Sequence, residues 1–412
     1  MSVTLVPRCI DRLGGVPLGT PISLVDFSRL LGDLVGRPRR VTALEQLCAG
    51  DSELEGRLTK RILPAIVRLA RQLPDAPLDS HVPLGAVRTS LPRRLVAGWL
   101  AHLFLGTIAE PSPEHPELCG ARLLASQHPW EQAKVRCVVE YFDRVAQAAP
   151  QGTLEIERVV APAPTLEHWA ANTMPLADLD VEPAGAIEDA AGHRQVDFAN
   201  QYLGGGVLSG GCVQEEIRFA VAPENLFGML LSPRMRPEEA IVLRGAERFA
   251  LTRGYGRSLA FDGPFEDPTP RLADGTPDIE LAAIDAVDYR GKDPSAQYSL
   301  EAIHRELGKA RSGFLRDQRL LPIASGNWGC GAFGGDPQLK AVIQWLAASA
   351  EGRRLRYFTF GDLRVGDLAG FVAAARAQHA SVGALARRLL AVAPSGGGDL
   401  YRRVLARVSF SE

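Results

Sequence analysis

Apolar residues recur every three or four positions through the first third of the chain. Leu24, Phe27, Leu30, Leu31 and Leu34 fall at helical spacing, and Ser23 followed three residues later by Asp26 makes a capping start. The same period runs from Leu54 to Leu73, where Pro64 predicts a kink or break. From Trp130 to Ala148 it places Val135, Val138, Val139, Phe142 and Val145 mostly on one side, and Ala149-Pro150-Gln151-Gly152 ends the stretch with turn chemistry. The segment from about Leu95 to Ile108 is the most apolar of the chain, but it contains His102 and falls short of the ~20 residues a membrane span needs. It predicts a buried helix.

After Gly152 the texture changes. Thr153 to Val160 alternates apolar and polar residues as a strand does. Further short apolar runs follow at Gln195 to Ala199, Ala240 to Leu243, Ile279 to Ala286, Leu320 to Ile323 and Leu355 to Phe360. Helical patterns at Ser299 to Phe314, Gln338 to Ala350 and Gly366 to His379 separate several of them. Alternation of this kind predicts an α/β domain with helices on both faces of a largely buried sheet. The expected division is a helical region over residues 1–150 and an α/β domain over 151–412. The Pro- and Asp-rich span from Asp262 to Asp278 reads as a long surface loop.

Composition narrows the function classes. The 412 residues are 46% hydrophobic and 23% charged, with a formal net charge of −2, so the molecule as a whole does not attract a polyanion. Any affinity for phosphate must be local, and no direct nucleic-acid binding is expected. Six cysteines (Cys9, Cys48, Cys119, Cys137, Cys212, Cys330) are scattered without a C-x-x-C pair, and the histidines are equally dispersed. Neither a disulfide framework nor a metal site is expected, and a reducing compartment fits. The start of the chain carries no secretory pattern, and Arg37-Pro38-Arg39-Arg40 is too short for a nuclear signal. A cytoplasmic monomer is expected, and the predominance of Arg over Lys with abundant Ala, Leu and Gly suggests a bacterial genome.

The densest chemistry lies between Val196 and Phe219, V-D-F-A-N-Q-Y-L-G-G-G-V-L-S-G-G-C-V-Q-E-E-I-R-F. A short apolar run stops at Asn200, the glycines Gly204, Gly205 and Gly206 follow, and Gln214-Glu215-Glu216 opens a helix. Glycines in this density let backbone approach a ligand closely. A second small-residue block runs from Ser325 to Asp336, S-G-N-W-G-C-G-A-F-G-G-D, and a third is Tyr357-Phe358-Thr359-Phe360-Gly361-Asp362. Backbone N–H groups in such loops form an anion-binding concavity that needs no formal positive charge.

These three blocks, in this order, resemble the catalytic segment, the phosphate-loop region and a third conserved segment of the poly(ADP-ribose) glycohydrolase family. The resemblance covers the chain closely from about Thr153 onward and more loosely before it, around Val96 to Leu105 and Trp130 to Val145. It implies a macrodomain-like α/β/α sandwich with a mixed central sheet, preceded by a helical accessory region. It implies hydrolysis of ribose–ribose O-glycosidic bonds of poly(ADP-ribose), mainly from the chain end, with no cofactor and no metal. The partner is then the polymer on modified proteins, in the reversal of ADP-ribosylation that accompanies the DNA damage response.

Two adjacent glutamates on a helix point about 100° apart, so they do not flank one bond symmetrically and must divide roles. The resemblance makes Glu216 the general acid/base, with Glu215 and Gln214 orienting ribose hydroxyls and holding Glu216, and Asp197 supporting the catalytic loop. It puts Asn200 on a ribose, Gly204, Gly205 and Gly206 together with Asn327, Gly331, Ala332, Phe333 and Gly334 around the diphosphate, and Ile187-Glu188, Tyr255 and Phe360 on the substrate, with Phe360 stacking. Cys212 and Cys330 read as small fillers, since no histidine stands near to activate them. Two rivals remain: a reader that binds ADP-ribose without cleaving it, and a hydrolase of single protein-linked ADP-ribose.

Overall fold

The computed structural model describes residues 2–3, 5–6, 9–73, 78–79, 88–109, 118, 120–378 and 381–406; Cys119 and His379 lie outside them. An eight-stranded mixed sheet organises the molecule. In chain order its strands are β1 (Arg88–Pro92), β2 (Thr153–Val160), β3 (Leu179–Glu182), β4 (Arg194–Ala199), β5 (Glu239–Arg244), β6 (Glu280–Asp285), β7 (Ile323–Gly326) and β8 (Leu355–Phe358). They lie side by side as β1-β2-β5-β6-β4-β7-β8-β3. β6, β4, β7, β8 and β3 are mutually parallel, and β1, β2 and β5 form an antiparallel wing.

Both faces of the sheet are covered, as strand alternation requires. Leu281 and Ala283 of β6 pack with Ile156 and Leu243 into a core shared with the N-terminal helices, whereas Ile284 points the other way, towards Leu307, Ile343 and Trp345. The second face carries helices Leu300–Phe314, Pro337–Ala350 and Val382–Val392.

The helical region follows its periodicities. Ser23 caps Leu24–Val35, its hydroxyl accepting from the Asp26 N–H. The helix Arg93–Leu105 is buried almost all round, with His102 held between Thr107 and the Ala70 carbonyl. Pro64 causes no break: a π-helical turn at Leu58–Ile62 precedes it, and Pro64 sits at the start of the next α-segment, Leu63–Arg71, where a missing N–H costs little. The third period is the helix Pro129–Gln147.

Within the sheet β1 and β3 escaped the hydrophobic pattern, and β7 is displaced from it. β1 is an edge strand of half-polar residues from the region read as helical, paired to β2 from Arg88 to Pro92. β7 begins at Ile323, later than the apolar run Leu320 to Ile323 suggests, because Leu320 adopts φ 48° and Pro322 cannot donate to a ladder. Ala260–Pro264 is the second strand of a hairpin with Ala250–Arg253, so the expected loop at Asp262 begins inside a strand. Beyond it Asp267 ties the chain down by accepting from the Arg248 and Thr269 amides.

Candidate active site

The parallel strands β4, β7 and β8 end on the same side of the sheet, where ligands bind in open α/β folds. A cleft of about 570 Å³ opens there. It is lined by Ile187, Glu188, Asn200, Gln214, Glu215, Glu216, Tyr255, Asn327, Gly331, Ala332, Phe333 and Phe360, among others. Asp197, Gly204, Gly205, Gly206 and Gly334 do not form its wall.

One wall is built by the return of the chain from β4 to the helix Gln214–Val221. Gln214 fastens the helix start to the strand, its Oε1 accepting from the Phe198 N–H at 2.8 Å and its Nε2 donating to the Val196 carbonyl at 3.3 Å. Glu215 is buried behind the loop, where its carboxylate accepts from the Asn200 N–H at 2.8 Å and the Gly204 N–H at 2.6 Å. Glu216 accepts from the Gly206 N–H at 3.0 Å and reaches back to the Val213 N–H at 2.9 Å. The Gly205 N–H donates to the Tyr202 carbonyl.

This arrangement corrects one expectation. The amides of Gly204, Gly205 and Gly206 are not offered to a ligand diphosphate; two of them hold the protein's own carboxylates. Gln214 and Glu215 bond to backbone partners and also line the cleft. The triplet is small because the carboxylates come so close: a Cβ on Gly205 would lie 2.6 Å from Glu216 Oε1 and 2.8 Å from Glu215 Oε2.

Beneath the loop lies Asp197, wholly buried beside Glu215, with no N–H or O–H donor on either carboxyl oxygen. Burial, and then the charge of Glu216, push its pKa up to about 8, although Arg218 opposes the rise. Glu215 is raised too, by burial first and by Asp197 second. Asp197 and Glu215 therefore form a coupled carboxyl pair in which burial and mutual repulsion favour the protonated form.

The opposite wall is the second glycine loop. There the Cys330, Gly334 and Gly335 amides close turns on Asn327, Gly331 and Gly329. The amides of Gly331, Ala332 and Phe333 donate to no protein acceptor among the described residues, and all three residues line the cleft. Asn327 faces the cleft but is spent on bracing, with its Nδ2 donating to the Thr359 carbonyl and its Oδ1 accepting from the Tyr357 hydroxyl. Phe360 stands half exposed at φ 52°, stacked on Phe358, and its ring passes so close to Gly326 that a Cβ there would come within 2.7 Å of it. A non-glycine residue in that conformation stores strain of the kind that gathers at ligand sites.

Asn200 caps the Tyr202 N–H through Oδ1. Ile187 is buried and Glu188 follows it on the rim in the short turn Ile187–Asp189. Cys212 and Cys330 are buried, and burial raises both thiols, as suits fillers. Among the described residues no cluster of His, Cys, Asp and Glu could hold a metal ion, and no helix is long and apolar enough to cross a membrane.

The family model described as poly(ADP-ribose) glycohydrolase, macro domain fold, matches residues 166–367, and that for the family's helical domain matches residues 51–158. The chain belongs to the poly(ADP-ribose) glycohydrolase family. Among its relatives, "Poly(ADP-ribose) glycohydrolase 1" of Arabidopsis thaliana is 34% identical over 86% of this chain and 84% of the relative. "Probable poly(ADP-ribose) glycohydrolase 2" of the same plant is 30% identical over 80% and 77%. "Poly(ADP-ribose) glycohydrolase 1" of Caenorhabditis elegans is 33% identical over 78% of this chain and 43% of its own length.

Within this family site, two side chains escaped sequence reasoning. Lys134, fully buried on the helix Pro129–Gln147, donates to the carbonyls of Gly206, Ser209 and Gly211 and so clamps the first loop from the helical region. Its partners lie 72 to 77 residues away, so no local pattern marks it. Arg364 puts a guanidinium on the cleft wall, bonded to Asp362. It stands two residues past the third sequence block, and the expectation of an anion site without a formal charge overlooked it.

Proposed function

We propose that this chain hydrolyses the ribose–ribose O-glycosidic bonds of poly(ADP-ribose), mainly at the chain end, releasing ADP-ribose, with Glu216 as the general acid/base. The observation that carries the reading is Glu216 lining the same cleft as the unpaired amides of Gly331, Ala332 and Phe333 and the half-exposed ring of Phe360. The amides and Arg364 suit a diphosphate, Phe360 suits adenine, and Glu188 accepts from the exocyclic amine. A cleft of about 570 Å³ suits a single nucleotide-sugar, which supports cleavage at the terminal unit.

Glu216 gives its proton to the bridging oxygen as the bond from that oxygen to the anomeric carbon breaks. Water then adds to the anomeric carbon and returns a proton to Glu216. Two backbone N–H groups fix the direction in which Glu216 presents its oxygens, and Glu215 holds the loop from below through the Asn200 and Gly204 amides. The helical region, residues 1–150, acts through Lys134 as a buttress of the same loop.

The test is incubation with the polymer and with protein carrying single ADP-ribose units. Loss of polymer with survival of the protein-linked unit supports the reading. Release of the single unit favours the mono-ADP-ribosyl hydrolase, and no product from either favours the reader. Glu216→Gln is expected to cut turnover by about 10²–10⁴ while ADP-ribose affinity, measured by calorimetry, stays within a few-fold. Full activity in that variant would move the acid elsewhere, Glu215 first.

A further inference from the structure

Beside the first glycine loop the helical region and the Tyr255 loop expose a short stack of rings and charge. The His128 imidazole lies on the Trp130 indole at a centroid distance of 4.5 Å and an interplanar angle of 7°. On the same indole stands the Arg257 guanidinium, 5.8 Å from its centroid. His128 and Arg257 are exposed and Trp130 is half-buried. Trp130 is anchored by packing against Cys212 and Leu259.

The stack is continuous with the proposed site. Tyr255 lines the cleft two residues before Arg257, and the Gly256 N–H donates to the Cys212 carbonyl at 2.9 Å. A Cβ on Gly210 would lie 3.4 Å from the Glu131 carboxylate, next to Trp130, and one on Gly211 would lie 2.6 Å from Glu216 Oε1. Only the small residues of the loop therefore separate Glu216 from the stack.

We infer that the His128–Trp130–Arg257 stack binds the next ADP-ribose unit of the polymer, the one joined through the scissile bond to the unit in the cleft. The inference rests on the functional reading above. Its adenine extends the ring stack on the exposed imidazole, and its diphosphate meets Arg257. At 5.8 Å the guanidinium sits near the outer limit of a cation–π contact, and no carboxylate lies within ion-pair reach of it among the described residues. It is therefore available to phosphate. Glu131, next to Trp130 in sequence, is engaged by the Ser126 hydroxyl. A ring platform beside a lone guanidinium is the pairing that single-stranded nucleotide chains are held by, and stacking of that size corresponds to roughly tenfold in affinity per base.

Binding is measured in the Glu216→Gln chain, so that no substrate is consumed, with ADP-ribose and with a two-unit ADP-ribose oligomer. Arg257→Glu changes an exposed side chain with no ion pair among the described residues; Trp130→Ala removes the base of the stack. The two-unit oligomer is expected to bind more tightly than ADP-ribose, and each variant to weaken it roughly tenfold while ADP-ribose affinity stays within about twofold. Equal affinity of the parent for both ligands, or oligomer affinity unmoved by both variants, overturns the inference and leaves the functional reading standing. Failure of ADP-ribose itself to bind overturns both. A fall in ADP-ribose affinity equal to that for the oligomer assigns the stack to loop support and overturns the inference alone.

Discussion

In the loop from Gly204 to Gly211 the backbone is spent inside the protein. The Gly204 and Gly206 N–H groups hold Glu215 and Glu216, the Gly205 N–H closes a turn, and three carbonyls receive Lys134. In the loop from Gly329 to Gly335 the turns close at the ends, and three consecutive amides between them stay unpaired at the cleft. Both loops are rich in glycine, and both use it for positive φ, at Gly204 (85°) and Gly205 (49°) in the first and at Gly329 (72°) and Gly334 (70°) in the second. In the first the missing side chains also let two carboxylates lie against the backbone. In the second the turns leave three amides facing outward. An acid follows each loop, but Glu215 and Glu216 turn back onto the first, whereas Asp336 caps the next helix, accepting from the Leu339 N–H, and leaves the second loop's amides alone.

The sharpest way to break this contrast is to place one methyl group in each loop. Gly205→Ala would drive a Cβ against both carboxylates and displace Glu216, so kcat is expected to fall by about 10²–10³, as misplaced catalytic groups do, with ADP-ribose affinity changed little. Gly331→Ala meets no atom within 4 Å, and its backbone is not in the left-handed region. Its stability should stay within about 0.5 kcal/mol of the parent. The added methyl stands at the proposed diphosphate, so ADP-ribose affinity is expected to drop roughly tenfold with little change in kcat on saturating polymer. Steady-state kinetics and calorimetry on the pair check this, and matched effects in the two variants would erase the distinction.

A smaller effect is expected from Lys134→Met. The substitution removes the ammonium that satisfies three loop carbonyls but touches nothing in the second loop. Leaving buried acceptors unpaired costs about 1–3 kcal/mol, and a loosened catalytic loop lowers kcat by roughly ten- to a hundredfold. Hydrogen exchange should rise across residues 204–211 and stay unchanged across 329–335. Uniform exchange in both loops would show that Lys134 does not act locally.

Lys134 also marks the limit of what was legible in the chain. Local signals were read well: the Ser23 cap, the alternation of Thr153 to Val160 and the buried helix after Arg93 all follow from neighbours a few residues apart. The position of Asn200 followed from a strand end in an α/β order, whereas Glu216 and Phe360 were reached through the family resemblance; all three line one cleft. Partnerships between segments distant in sequence carry no such signal, so the hydrogen bonds of Gln214 (16 and 18 residues away), Asn327 (30 and 32) and Lys134 (72 to 77) stayed hidden. β7 illustrates another cause. Its buried residues are Ile323, Ala324, Ser325 and Gly326, because Ser325 bonds Gln344 and Gly326 lies under the Phe360 ring. Tertiary contacts there outweigh β-propensity, and a reading by hydrophobicity stops too early.

The smallest expected effect concerns pH and belongs to the first loop alone, since the carboxyl pair Asp197–Glu215 has no counterpart behind Gly329 to Gly335. In the unfolded chain Asp197 loses its proton near pH 3.9. In the folded protein burial holds that proton up to about pH 8. Between these values the unfolded state ionises while the folded state does not, so the penalty for burying Asp197 grows and stability falls as pH rises. Below about pH 4 both states are neutral and the penalty is absent. Asp197→Asn cannot ionise and can still donate to Glu215, so it should flatten this slope. Relative to the parent it is expected to gain on the order of 1–2 kcal/mol between pH 5 and pH 8, less than the whole shift implies because Glu215 shares the proton. Denaturant unfolding of both proteins at the two pH values measures the difference. A parallel pair of pH profiles would mean that Asp197 is already ionised in the folded state, and that the loop above it is held by its hydrogen bonds to Glu215 and Glu216 without help from a shared proton.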